Sequence, residues 1–287
     1  MTAMVMATFV AAIVVGALGY GFSSIAVPIA LLAVTSRVLN PALVLVEVVL
    51  NGHLLWINRA ALSHVWRRAG SVAIGLPVGV ALGTAALTSV DPTWLKLETF
   101  VVLLPLILLQ AAGYRRPLQR EFAAGIGLGA GVGFLYAITT ISGPPLAMFL
   151  TNQGMANREF RAALAVIRVA AACLTTALYG GAGLFTAESM SLLMYILPSV
   201  IVGIPIGMFI IQHVEGETFR RICMTFDAAI VAFGVSTSLR ALGLVSGPAA
   251  YAPFIAVLVV DAILITRYFR DEARKVVVAE APKPCST

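Results

Sequence analysis

Four ionisable residues, Glu47, Arg168, Asp227 and Asp261, stand well inside long apolar stretches, and Glu98 lies nearer the end of another. On insertion scales a charge at a bilayer centre costs about 2.5–3.5 kcal/mol, so each must face a bundle interior or find a partner. Arg168 offers a planar fork of N–H donors that suits an oxyanion. Glu47 or Asp227 has the chemistry to balance that charge or to carry a coupling proton. The plainer alternative makes Glu47 and Arg168 a permanent ion pair holding the bundle together. Asn51 follows Glu47 by one helical turn on the same face, where it either lines a path or glues two helices. Asp261, in the last apolar stretch, reads as half of a structural contact.

A second chemistry lies in two interrupted runs. Residues 3–34 carry Gly16, Gly19, Gly21, Ser23, Ser24 and Pro28 in their middle. Residues 121–150 carry glycines at every second position from Gly125 to Gly133, then Thr139, Thr140, Ser142, Gly143, Pro144 and Pro145. As a straight helix each run would measure roughly 45–48 Å, too long for one crossing and too short for two with a turn. A break at membrane depth must be buried in protein or face water. The start of a half-helix carries partial positive charge and free amide donors. Two such starts meeting near the midplane would hold an anion, with Ser23, Ser24, Thr139, Thr140 and Ser142 as neutral donors beside them. Gly125, Gly129 and Gly133, four residues apart, read instead as a close-packing face.

The elements that must position these groups are membrane helices. Of the 287 residues 60% are hydrophobic and 11% charged, and the mean hydropathy is +0.98. A soluble domain is about a quarter charged and under half apolar, so the solvent here is the bilayer. The net charge of +6 comes from short Lys and Arg clusters between apolar runs, which point to membrane loops and not to nucleic acid. The first thirty residues lack the basic start of a secretory signal and read as mature protein. Cys173, Cys223 and Cys285 are scattered without metal-ligand spacing, so no metal and no disulfide framework is expected. His53, His64 and His213 form no zinc motif; neither a nucleophile elbow nor a Walker loop occurs, which leaves an intramembrane enzyme or an ATP-driven pump without its chemistry.

Seven further runs can span: 41–58, 70–90, 94–112, 159–183, 190–212, 220–242 and 249–268. With the two broken runs they give an all-α bundle of eight or nine crossings. The chain reads as two similar halves, since 42–48 lies over 163–169 and Thr99-Phe100 over Thr225-Phe226. This gives a first transmembrane repeat over 1–114, a second over 115–243, an additional helix over 244–268 and a cytoplasmic tail over 269–287. The basic clusters around Arg59, Arg67 and Arg68, Arg115 to Arg120, Arg158 and Arg161, Arg220 and Arg221, and Arg267 to Lys275 all fall on the cytoplasmic side only if 121–150 crosses an even number of times. The repeats are then inverted, and Glu47 and Arg168, equivalent positions of opposite charge, approach each other at the repeat interface near the midplane. The competing expectation is one kinked helix over 121–150.

The glycine-rich opening with Gly16, Gly19, Gly21 and Pro28 bears on family, as does the segment from Gly125 through Gly143-Pro144-Pro145-Leu146. So does Asn157-Arg158-Glu159-Phe160-Arg161-Ala162, continuing to Tyr179. In these the chain resembles the sulfite exporter TauE/SafE family, also called the toluenesulfonate uptake permease family. The resemblance implies a duplicated helical fold in the bacterial inner membrane and a permease for small sulfur oxyanions or organosulfonates. The expected function is a secondary transporter without cofactor, a multi-pass inner-membrane protein with its C-terminus in the cytoplasm. The alternatives are a permease for another small organic anion and a passive anion channel. Gly21, Ser23, Ser24, Glu47, Asn51, Thr139, Thr140, Ser142, Gly143, Pro144 and Arg168 are the expected substrate site, with Glu47 and Asp227 as coupling groups. The expected partners are the anion and membrane lipid, and a homodimer is compatible with the sequence.

Overall fold

A computed structural model gives the fold and describes residues 2–18, 22–111, 121–152, 155, 157–210, 213 and 216–280. Among these the chain is helical throughout. The first half comprises α1 (Thr2–Leu18), α2 (Phe22–Leu31), α3 (Ser36–Ile57), α4 (Leu62–Ser89) and α5 (Pro92–Ala111). The second comprises α6 (Glu121–Thr139), α7 (Gly143–Asn152), α8 (Asn157–Gly181), α9 (Ala187–Ile210) and α10 (Gly216–Ala241), followed by α11 (Ala252–Glu280). Six helices among the described residues are long and apolar enough to cross a membrane: Ser36–Ile57, Arg59–Ser89, Phe122–Thr139, Glu159–Gly181, Ala187–Ile210 and Pro248–Arg267. Val5–Ala17 and Phe22–Leu31 are shorter apolar helices. The protein is an all-α polytopic membrane protein. Its last helix runs on to Glu280, through residues that the sequence assigned to the tail.

In the first long run α1 ends at Leu18 and α2 begins at Phe22, and the second long run is broken at 140–142. The second break has a visible cause. Thr140 takes a left-handed conformation, φ 56°, which costs an L-residue about 1–2 kcal/mol and which a β-branched side chain seldom adopts. Local bonds hold it there: the Thr139 hydroxyl donates to the Leu135 carbonyl (2.6 Å) and accepts the Ile141 N–H (3.0 Å), while the Thr140 hydroxyl donates to the Thr139 carbonyl (2.7 Å). Pro144 and Pro145 then fix the first turn of the next helix. α2 packs against α1, whereas α7 packs on α5 and α8.

Small residues set the closest helix pairs. Gly75 and Gly79 of α4 face Ile126, Ala130 and Phe134 of α6, and Gly129 and Gly133 of α6 face Val72, Gly75, Leu76 and Val80. A Cβ at Gly79 would strike the Ala130 carbonyl, and one at Gly129 the Val72 carbonyl. The two helices run parallel, since their contact positions rise together. α1 and α9 repeat this arrangement, with Gly16 against Ile204, Gly203 against Ala12 and Gly207 against Ile13. The glycine ladder is therefore a packing face that lets two backbones touch. Each pair joins a helix of one half to a helix of the other.

At the centre α3 and α8 cross the bundle against each other in opposite directions. Asn40 meets Tyr179, Glu47 meets Arg168, and Asn51 to Asn58 share a cavity with Arg161 to Arg168. α4 lies over α8 and α9 over α3. Arg37, at the start of α3, closes the end of α4: its Nε donates to the Leu87 carbonyl (2.9 Å) and its Nη2 to those of Thr88 (2.8 Å) and Val90 (2.9 Å). Those carbonyls have no partner within their own helix, which makes the arginine a cap.

Candidate functional site

Glu47 of α3 is fully buried, and side chains from three other helices converge on its carboxylate. The Ser23 hydroxyl of α2 donates to Oε1. Tyr136 of α6 donates to Oε2 at 2.8 Å. Arg168 of α8 donates from Nη2 to Oε1 at 3.1 Å, an ion pair with both side chains shielded. Ser23 is the second residue of α2, so the carboxylate lies at the start of that helix, where the backbone dipole favours negative charge. Four elements from both halves are thus tied to one group.

Arg168 spends one nitrogen on this pair. Its Nε and Nη1 are buried without a partner among the described residues, and so is Nδ2 of Asn51. These residues are only 3% and 2% exposed. Buried donors left unmade cost free energy, more so on a charged group, and in native proteins each calls for an explanation. Both residues lie on a cavity of about 290 Å³. Asn51 comes from α3 and Asn58 from the residue that caps its end, Arg161 and Arg168 from α8, Gly16 from α1 and Met208 from α9. At roughly 30 Å³ per water, such a volume takes a small oxyanion together with several waters. Arg161 is exposed at one end of this wall and Arg168 is buried two helical turns deeper. The arrangement can draw an anion down a positive wall and offer it charge-assisted donors at the floor.

The structure gathers some of the residues singled out in the sequence and not others. Glu47, Arg168 and Asn51 meet as described, and Ser23 bonds the Glu47 carboxylate. Ser24 is buried in α2, and Gly21 lies outside the described residues. Thr139, Thr140, Ser142, Gly143 and Pro144 do not line the cavity. The two threonine hydroxyls are committed to backbone carbonyls at the break, so they are not spare donors. Pro144 and Pro145 carry no N–H and the Leu146 N–H is taken by the Ser142 carbonyl (3.3 Å). The start of α7 therefore lacks two of the amides a helix start ordinarily leaves free. The Ser142 hydroxyl is buried without a partner among the described residues. Asp227 is buried in α10 with Oδ1 unpartnered and does not line the cavity. Asp261 faces Thr225 of α10. No cluster of three His, Cys, Asp or Glu able to hold a metal occurs among the described residues.

Two contributors were missed. Tyr136 is a phenol in the middle of a spanning run, although membrane tyrosines favour the interfaces. That displacement was the available signal. Asn40, seven residues before Glu47, donates from Nδ2 to the Ile138 carbonyl (2.6 Å) and so braces the end of α6. Tyr179 braces it too, by donating to the Ala137 carbonyl.

Residues 4–234, from α1 into α10, match the family model described as Sulfite exporter TauE/SafE. No curated protein and no solved structure matches the chain.

Proposed function

The chain belongs to the sulfite exporter TauE/SafE family, a family of membrane transporters, and from that premise we propose that it is a secondary permease for a small sulfur-containing anion such as sulfite or an organosulfonate. The observation that carries the proposal is the buried Arg168, with two N–H-bearing nitrogens unpartnered among the described residues, beside the likewise unpartnered amide of Asn51, both residues lying on a shared cavity. An oxyanion supplies the acceptors these donors lack.

Glu47 holds Arg168 in place when the cavity is unloaded and is the first choice for a coupling group, since a proton on it would free the guanidinium for the substrate. Asp227, away from the cavity, is the second choice. Coupling is not obligatory for export. A divalent anion leaving an inside-negative cell gains about 4.6 kcal/mol per 100 mV.

The opposed directions of α3 and α8, equivalent helices of the two halves, support an inverted repeat. The basic residues Arg59 and Arg161 cluster where α3 ends and α8 begins, which supports a cytoplasmic mouth for the cavity in an inner-membrane protein. The fully buried Glu47 cluster, bound from four helices, blocks a continuous pore and favours a carrier over a channel. Proteoliposomes test this directly: sulfite flux saturates with concentration in a carrier, whereas linear flux refutes the proposal. A thiol-reactive label that reached Met155→Cys only from the periplasmic face would overturn the assigned orientation.

A further inference from the structure

Ten buried side-chain atoms have no partner among the described residues, and they are not spread evenly. Three, the Arg168 and Asn51 nitrogens, belong to residues that line the open cavity. Two belong to Asp227 and Asp261. The other five are Ser36 Oγ, Asn40 Oδ1, Thr84 Oγ1, Ser142 Oγ and Thr175 Oγ1, and the contacts around them set them at one level of the bundle.

The level follows from neighbouring bonds. Arg37 ties the start of α3 to the carbonyls that end α4, so Ser36 and Asn40 lie beside the turn that holds Thr84. Asn40 reaches the Ile138 carbonyl and Tyr179 reaches that of Ala137, which brings in the α6 break and Ser142. Thr175 is one turn from Tyr179 on α8. All five therefore lie beyond the Glu47–Arg168 pair, on the side away from the cavity.

Helical spacing makes this a continuation of the same route. On α3, Ser36, Asn40, Glu47, Asn51 and Asn58 recur at four and seven residues; on α8, Arg161, Arg168, Thr175 and Tyr179 do likewise. Such spacing keeps each set on one face. Two antiparallel helices thus carry facing polar stripes from end to end, open to a cavity on one side of the central ion pair and packed shut on the other. Polar groups serving only as interhelical glue would be bonded across the interface; Asn40 is so bonded, through Nδ2 to the Ile138 carbonyl, whereas the hydroxyls of Ser36, Thr84, Ser142 and Thr175 have no partner among the described residues.

We infer that the seam between the first half of α3 and the second halves of α4 and α8 is the closed half of the substrate path, a passage lined by hydroxyls and an amide for a small oxyanion. The inference rests on the transport function proposed above. An inverted pair of halves would open this seam as it closes the cavity, so its unpartnered groups meet water and anion in the opposite state.

The test uses the full chain, with inorganic sulfite as the probe. Thr84→Val and Thr175→Val remove one hydroxyl each at nearly constant volume. Both variants should be stabilised by sulfite in detergent to the same extent as the unmodified chain and lose at least tenfold in proteoliposome transport, with Thr84→Ser and Thr175→Ser restoring it. In a background with Cys173, Cys223 and Cys285 replaced by serine, Thr175→Cys should react with a membrane-impermeant thiol reagent applied opposite the Arg161 face during turnover. Wild-type transport by both valine variants, or a Thr175→Cys inert from that face, overturns the inference. If the unmodified chain shows no stabilisation by sulfite or any other sulfur anion, the Arg168 site fails first, and that outcome is distinct.

Discussion

Replacing Arg168 with lysine separates the two duties of this residue. Lysine keeps a positive charge, so the buried pair with Glu47 persists and the large cost of stranding a carboxylate, about 3–5 kcal/mol when one partner of a buried pair is removed, is avoided. What it loses is the fork. Arg168 gives Glu47 one nitrogen at 3.1 Å and keeps Nε and Nη1 unpartnered towards a ligand, whereas an ammonium committed to Glu47 is a point donor that reaches an anion with one N–H at most. The anion forfeits at least one charge-assisted bond, about 1.5–3 kcal/mol, which is about a 10- to 150-fold rise in Kd. Isothermal titration of sulfite into purified Arg168→Lys protein, alongside its melting temperature, gives both numbers. The expected outcome is a melting temperature near wild type and an affinity at least tenfold weaker. A Kd within threefold of wild type at unchanged stability refutes it, since the unused nitrogens would then be ornamental to binding.

Glu47→Gln should destabilise the protein by about 3–5 kcal/mol, because the Arg168 charge is left buried and uncompensated; sulfite should then raise the melting temperature more than in wild type by supplying the missing negative charge. Gly79→Leu drives a side chain into the Ala130 carbonyl and should cost at least the 1–3 kcal/mol typical of overpacking, read as lost monodispersity on size exclusion, while Gly127→Ala, with open space around its Cβ position, should elute as wild type. Arg37→Gln removes the donors that close α4 and should cost about 1–2 kcal/mol, the scale of a lost helix cap, measured as a lowered melting temperature with sulfite affinity unchanged.

Hydropathy made the membrane class plain, because a run such as 190–212 has no other stable environment. The meeting of Glu47 and Arg168 was also legible, through the offset between matching segments of the two halves. Other features were not. The threonines at the second break looked like free donors, yet whether Thr139 bonds a ligand or its own backbone depends on a left-handed turn that composition does not encode. The interruption at Gly143-Pro144-Pro145 promises a half-helix start with free amides, although proline itself brings none. Tyr136 went unremarked because a tyrosine in an apolar run resembles packing until the acceptor it reaches, on another helix, is known. Glu98 and Asp227 show the converse: an ionisable residue inside a span narrows the search without locating the route.

The glycine-seamed pairs α4–α6 and α1–α9 have a consequence for how the polypeptide can be divided. Neither half possesses both sides of its tightest contacts, so residues 1–114 expressed alone would display a bare groove along α4 and another along α1, each shaped for a helix encoded in the remainder. Two fragments made together should interlock as an obligate heterodimer; either made singly should be degraded.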